Sequence, residues 1–172
     1  MPAATKRLTL VRHGQAEWKG PQVADADRPL TRRGQAEAAE MARRLRTQEF
    51  EPPGMILTSP ALRTTQTAEA YLREFGLAGH QLKRVDSLYL APPAELAVVI
   101  RACGQGIPHL LVIGHNPGLS EFAHELAPQA ALGAFATGAC CTLAFEFGDW
   151  RDLGRAMDAG YDAPGRFFDL WH

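Results

Sequence analysis

The sequence is poor in cysteine, with three in 172 residues. Cys103, Cys140 and Cys141 make no Cys-x-x-Cys pair, and no His-x-x-x-His spacing accompanies them, so no zinc-binding pattern is present. Neighbouring Cys140 and Cys141 would alternate across a strand, which argues against a mutual disulfide. A reducing, intracellular setting is expected. Charge of one sign is also lacking: 18 Lys+Arg stand against 19 Asp+Glu, a formal net charge of −1. Nothing global steers such a chain to nucleic acid or to an anionic membrane, so neither is an expected partner. Any strong hold on an anion must be built locally. Long apolar runs are missing too. Met1 to Arg7 leads straight into the short run Leu8-Thr9-Leu10-Val11, with no signal-type or membrane-spanning stretch. The expectation is a cytoplasmic protein. No internal repeat or long linker divides the chain, so residues 1–172 are read as one domain.

What is present is an alternation of short apolar runs and amphipathic stretches. Leu8 to Val11, Met55 to Thr58 and His109 to Ile113 read as buried strands. Thr31 is placed to cap a helix carrying Ala36, Ala39, Ala42 and Leu45. Ser59-Pro60 reads as the cap and first position of a second helix, with Leu62, Thr65, Ala68, Tyr71 and Leu72 inward. Pro92-Pro93 precedes a third helix, and a fourth follows Gly118. Gln81 to Val85 reads as an edge strand. Cys141, Leu143, Phe145 and Phe147 alternate as an antiparallel or edge strand, and Phe167 to Trp171 is a candidate for another. The expected fold is α/β: a three-layer α/β/α sandwich around a mostly parallel sheet.

Three strands end in polar clusters: Arg12-His13-Gly14, Ser59 to Arg63, and Gly114-His115-Asn116. In open α/β sheets ligands bind outside the carboxyl ends of the strands, so parallel pairing would gather these clusters at one edge. Two Arg and two His beside a helix N-terminus suit an anion with several oxygens, such as a phosphoryl group. Imidazole serves as nucleophile, acid or base near neutrality. Gly14 would let the backbone approach a ligand closely. His80, His109, His124 and His172 lack this context, and Asp25 and Asp27 read as loop-capping residues.

Leu10 to Trp18, Arg28 to Ala36, Ser59 to Ala68 and Gly114 to Pro117 together resemble the signature of the histidine phosphatase superfamily, in its order. Gly114 to Ser120, Leu88-Tyr89 and the compact chain resemble its SixA-like group of protein phosphohistidine phosphatases. That resemblance implies a phosphoglycerate-mutase-like fold. It implies that His13 accepts the phosphoryl group, that Arg12 and Arg63 hold its oxygens, and that His115 completes the pocket. It implies no metal or other cofactor. The substrate would be a phosphorylated protein or, alternatively, a small sugar or nucleotide phosphate; a non-catalytic phosphate-binding module is the reading outside enzymes. Lys19 stands where many mutase-type members carry Asn. Larger relatives use a Glu as proton donor; the nearest match here is Asp86, with Glu95 further on. The Trp18–Pro29 loop and the Asp86–Pro93 segment are expected to form the rim.

Overall fold

A computed structural model describes residues 5–165. Among the described residues four α-helices alternate with the first five of six strands. β1 (Thr5–Arg12) is followed by α1 (Arg32–Arg46), β2 (Met55–Thr58) and α2 (Leu62–Glu74). Then come β3 (Leu82–Arg84), α3 (Pro93–Cys103), β4 (His109–Gly114), α4 (Gly118–Leu126), β5 (Cys140–Glu146) and β6 (Asp158–Asp162). The strands lie in the order β3-β2-β4-β1-β5-β6. The first three pairings are parallel; β5 runs antiparallel to β1, and β6 antiparallel to β5.

Alternation along the central strands sends side chains to both faces. Leu8, Leu10, Leu110 and Val112 pack with Leu96 and Ile100 of α3 and Leu119 and Phe122 of α4. Val11, Ile56, Leu111 and Ile113 pack with Met41, Ala42 and Leu45 of α1 and Ala68 and Tyr71 of α2. The three expected layers are thus observed. Thr31 caps α1 as read from the sequence, its hydroxyl accepting from Gly34 N at 3.0 Å.

Several local readings are corrected. The buried stripe of α1 is Ala38, Met41, Ala42 and Leu45, while Ala36 is exposed. α2 begins at Leu62 with Ala61 before it, not at Pro60, because the Ser59 side chain is engaged in the site. Leu62 is exposed. The alternating run is β5, antiparallel but not at an edge, because β6 covers it; the Asp-Ala-Gly-Tyr-Asp sequence of β6 carries no strand signal. The candidate strand Phe167 to Trp171 lies outside the described residues. No helix among the described residues is long and apolar enough to cross a membrane.

Candidate active site

The parallel register brings the three clusters to one sheet edge. Arg12 lies opposite Gly114, and Thr58 opposite Ile113, so the residues that follow emerge together. His13 N donates to the Gly114 carbonyl at 3.3 Å, and the His13 and His115 rings lie 5.5 Å apart, centroid to centroid. Residues distant in sequence become neighbours through strand order alone.

His13 is held in one tautomer. Its Nδ1 lies 2.7 Å from the Gly14 carbonyl, which can only accept, so Nδ1 carries the proton and Nε2 keeps its lone pair. Burial pushes its pKa down to about 4; the carbonyl bond opposes this, and Arg63, Arg12 and Arg28 add to the lowering. The ring is neutral at pH 7, as a nucleophile must be. Gly14 serves a different neighbour from the one expected. A Cβ there would lie 2.4 Å from the Gly34 carbonyl, and a Cβ on Gly34 would lie 2.0 Å from the Gln15 carbonyl. The two glycines let α1 press against the loop that orients His13. Thr67 of α2 ties the same loop, accepting from Gly14 N at 3.2 Å.

Arg63 is buried, 3% exposed. It donates to the Asp25 carbonyl at 2.7 Å, to Asp25 Oδ2 at 2.9 Å and to His115 Nδ1 at 3.3 Å. Guanidinium has donors alone, so His115 Nδ1 accepts and its Nε2–H donates to Ser59 Oγ at 2.7 Å. Burial pushes the His115 pKa down to about 3, with Arg63 and His13 adding to it. Arg12 donates to the Phe135 carbonyl at 2.8 Å, and Asn116 Nδ2 donates to the same oxygen at 3.0 Å. The Arg12 Nε is buried without a hydrogen-bond partner among the described residues.

The residues that match a family model described as histidine phosphatase superfamily (branch 1) are 8–88. The phosphohistidine phosphatase SixA of Escherichia coli is 30% identical over 154 residues, covering 81% of this chain and 86% of that protein. The chain belongs to the histidine phosphatase superfamily. A solved structure of a candidate phosphohistidine phosphatase SixA from Nakamurella multipartitia superposes with a TM-score of 0.78 at 30% identity, covering 94% of this chain and 96% of that one. A chloroplastic protein of Arabidopsis thaliana is 29% identical over 131 residues; the match covers 72% of this chain and 60% of that longer protein. The protein is a phosphatase with the fold of its superfamily.

In this candidate site His13, Arg12, Arg63 and His115 lie together, as parallel strand pairing suggested. Asp86 and Glu95 do not join them: neither carboxylate has a hydrogen bond or ion pair with another described residue, and Asp86 is exposed in the turn after β3. The carboxylate that does enter is Asp25, read from the sequence as a loop cap. Besides Arg63 it takes Arg28 Nη1 at 3.0 Å and the Tyr89 hydroxyl. Bonding from Tyr89, with Arg63 and Arg28, holds its carboxyl well below the usual carboxylate range; partial burial opposes them. The ring of Tyr89 stands edge-on to His115 at 5.5 Å. Asp25 and Tyr89 come from the two expected rim segments and meet across the site. Arg28, inside the quoted signature, and Ser59, at a strand end, were both legible as polar residues but not by role. Glu37 was not: 6% exposed, it accepts from Gln15 N at 3.4 Å and the Thr137 hydroxyl at 2.9 Å beneath Arg12. No group of three or more His, Cys, Asp or Glu placed to hold a metal ion occurs among the described residues.

Proposed function

We propose that the protein hydrolyses phosphohistidine carried on another protein, through a covalent phosphohistidine at His13. The observation that carries this reading is the state of the carboxylates. Asp25, the acid that reaches the site, is held ionised, and neither the Asp86 nor the Glu95 carboxylate has a hydrogen bond or ion pair with a described residue. An alkoxide leaving group needs a protonated acid beside it. A phosphorylated imidazole protonated at its far nitrogen needs none, because it departs as neutral imidazole.

In the first step the Nε2 lone pair of His13 forms a bond to phosphorus, and the P–N bond of the substrate breaks with its electron pair returning to the leaving nitrogen. Arg12 and Arg63 meet the charge on the phosphoryl oxygens. Bound negative charge raises the depressed pKa of His115, which then donates to a phosphoryl oxygen from Nδ1. In the second step water attacks phosphorus, the bond to Nε2 breaks, and inorganic phosphate leaves with the water's oxygen and protons. The side-chain cations supply the positive charge for both steps.

The surroundings support a protein rather than a small substrate. Trp18 is 70% exposed and Leu90 55% exposed, on the two rim segments, and Leu62 sits exposed beside Arg63. Aromatic side chains are enriched at protein interfaces, and Trp18 offers one on this rim. A shallow groove of about 610 Å³, lined by Asn116, Pro117, Ser120, Glu121, His124 and Leu132, adjoins His115.

The test is a turnover panel of a phosphohistidine protein against sugar, nucleotide and aryl phosphates, with alkaline quenching and mass-spectrometric mapping of His13. The expected kcat/KM favours the protein by at least ~100-fold. A sugar or nucleotide phosphate turned over equally well overturns the substrate. Turnover by His13→Ala overturns the mechanism.

A further inference from the structure

We propose that Asp25 is a specificity-determining residue, whose ionised carboxylate beside Arg63 favours a cationic imidazolium leaving group over one that departs as an anion. The proposal rests on the phosphohistidine reading and names the residue that would enforce it.

Asp25 is fixed more firmly than a rim carboxylate needs to be. Its Oδ1 takes Arg28 at 3.0 Å, and its Oδ2 takes Arg63 at 2.9 Å together with the Tyr89 hydroxyl. Its backbone carbonyl takes Arg63 again at 2.7 Å. A carboxylate offers about four lone-pair sites, so one stays open after these three side-chain bonds. The side chain is 44% exposed, whereas that of Arg63 is 4% exposed. Asp25 therefore lies on the solvent side of the arginine that binds the phosphoryl oxygens. Displacement is in line, so the leaving group departs opposite His13, toward solvent, where the charge of Asp25 acts on it.

The sign of the effect follows from charge. Starting from neutral phosphohistidine, the reactive species carries one extra proton on the imidazole nitrogen far from phosphorus. A carboxylate with an open lone pair favours that protonated ring. An ester leaving group gains negative charge as its P–O bond breaks, and the same carboxylate opposes it. Asp25 also accounts for a feature that simple phosphate binding does not. Binding phosphate alone would be served by leaving Arg28 and Arg63 unneutralised, yet both are paired with one anion at the mouth.

The experiment uses the full chain and two small substrates with no protein contacts: N-phosphohistidine as the free amino acid, and phenyl phosphate. The ratio of their kcat/KM values is compared for wild type, Asp25→Asn and Tyr89→Phe. Asp25→Asn keeps hydrogen-bond acceptance for Arg63 and removes the charge; Tyr89→Phe removes a bond and leaves the charge. The ratio is expected to fall at least ~10-fold in Asp25→Asn and to change less than ~3-fold in Tyr89→Phe. In Asp25→Asn the alkaline limb of the phosphohistidine profile should also move to lower pH, a change that a merely structural role would not produce. A ratio unchanged in Asp25→Asn, or one that falls equally in both variants, overturns the proposal. A wild-type enzyme that prefers phenyl phosphate overturns both it and the phosphohistidine reading; a preference undiminished in Asp25→Asn overturns the role of Asp25 alone.

Discussion

His109 makes the fold itself pH-dependent. It opens β4, is 1% exposed, and has both ring nitrogens bonded. Nδ1 donates to the Glu51 carbonyl at 2.7 Å, and Nε2 accepts from the Thr9 hydroxyl at 2.7 Å. Burial pushes its pKa from 6.5 down to about 4; the carbonyl bond opposes the shift and Arg7 adds to it. The unfolded chain thus takes a proton near pH 6.5 that the folded chain refuses until about pH 4. The stabilisation is complete above pH 6.5 and is lost as pH falls toward 4. One group with these two values costs about 2 kcal/mol of unfolding free energy between about pH 7.5 and about pH 5, and up to about 3 kcal/mol in all. His13 and His115, also depressed, act in the same direction. The assay is urea unfolding at both pH values for wild type and His109→Asn. The asparagine lowers stability at either pH, but it carries no proton to titrate. The expected result is a pH-induced loss about 2 kcal/mol smaller in the variant. An identical pH dependence in both proteins would refute the argument, because the buried neutral imidazole would then contribute nothing.

Other outcomes follow from the same geometry. Gly34→Ala places a Cβ 2.0 Å from the Gln15 carbonyl; it should cost roughly 1–3 kcal/mol by thermal unfolding and lower kcat as the Gly14 carbonyl loses its place under His13. Arg63→Ala removes a buried cation and should lower kcat/KM by roughly 10²–10³, read with any hydrolysed phosphate. Asp86→Asn should leave kcat for alkyl and phosphohistidine substrates alike unchanged, since Asp86 is exposed and uncoupled from the site; a selective fall with alkyl phosphates would restore it as the proton donor. Activity should persist in EDTA, and restoration by Zn²⁺ or Mg²⁺ after a loss would show that the side-chain cations are insufficient.

The sequence made the layered fold legible because its three strongest apolar runs are the parallel strands β1, β2 and β4, and each ends in a polar cluster. Their convergence needed no more than parallel pairing. The carboxylate at the site was harder to read. Asp86 lies close to the expected position along the chain, yet the turn after β3 leaves its side chain in solvent. Asp25 looked like ordinary loop chemistry, because a 3₁₀ turn beginning with Asp is common. Its role depends on Arg63 and Tyr89, 38 and 64 residues away, meeting over it. The buried face of α1 was displaced for a related reason. Ala36 and Ala38 are equally apolar, and the contact of Gly34 with the Gln15 carbonyl decides which one turns inward. β6 carries no alternation at all and is defined by its partner β5.

The position of β1 has a consequence for how this protein can change. Its last residue and the one after are stitched to strands on both sides, Arg12 N to the Ala139 carbonyl at 2.9 Å and His13 N to the Gly114 carbonyl at 3.3 Å. Those amides should exchange with solvent at the rate of global unfolding, while the exposed part of the loop around Trp18 opens locally and sooner. Chemistry and recognition therefore sit on parts of different mobility. Substitution at rim positions that make no contact with Arg63 or His115, Trp18 among them, can change what the mouth recognises without disturbing His13. The reverse does not hold: a substitution that loosens β1 costs the nucleophile and the fold together.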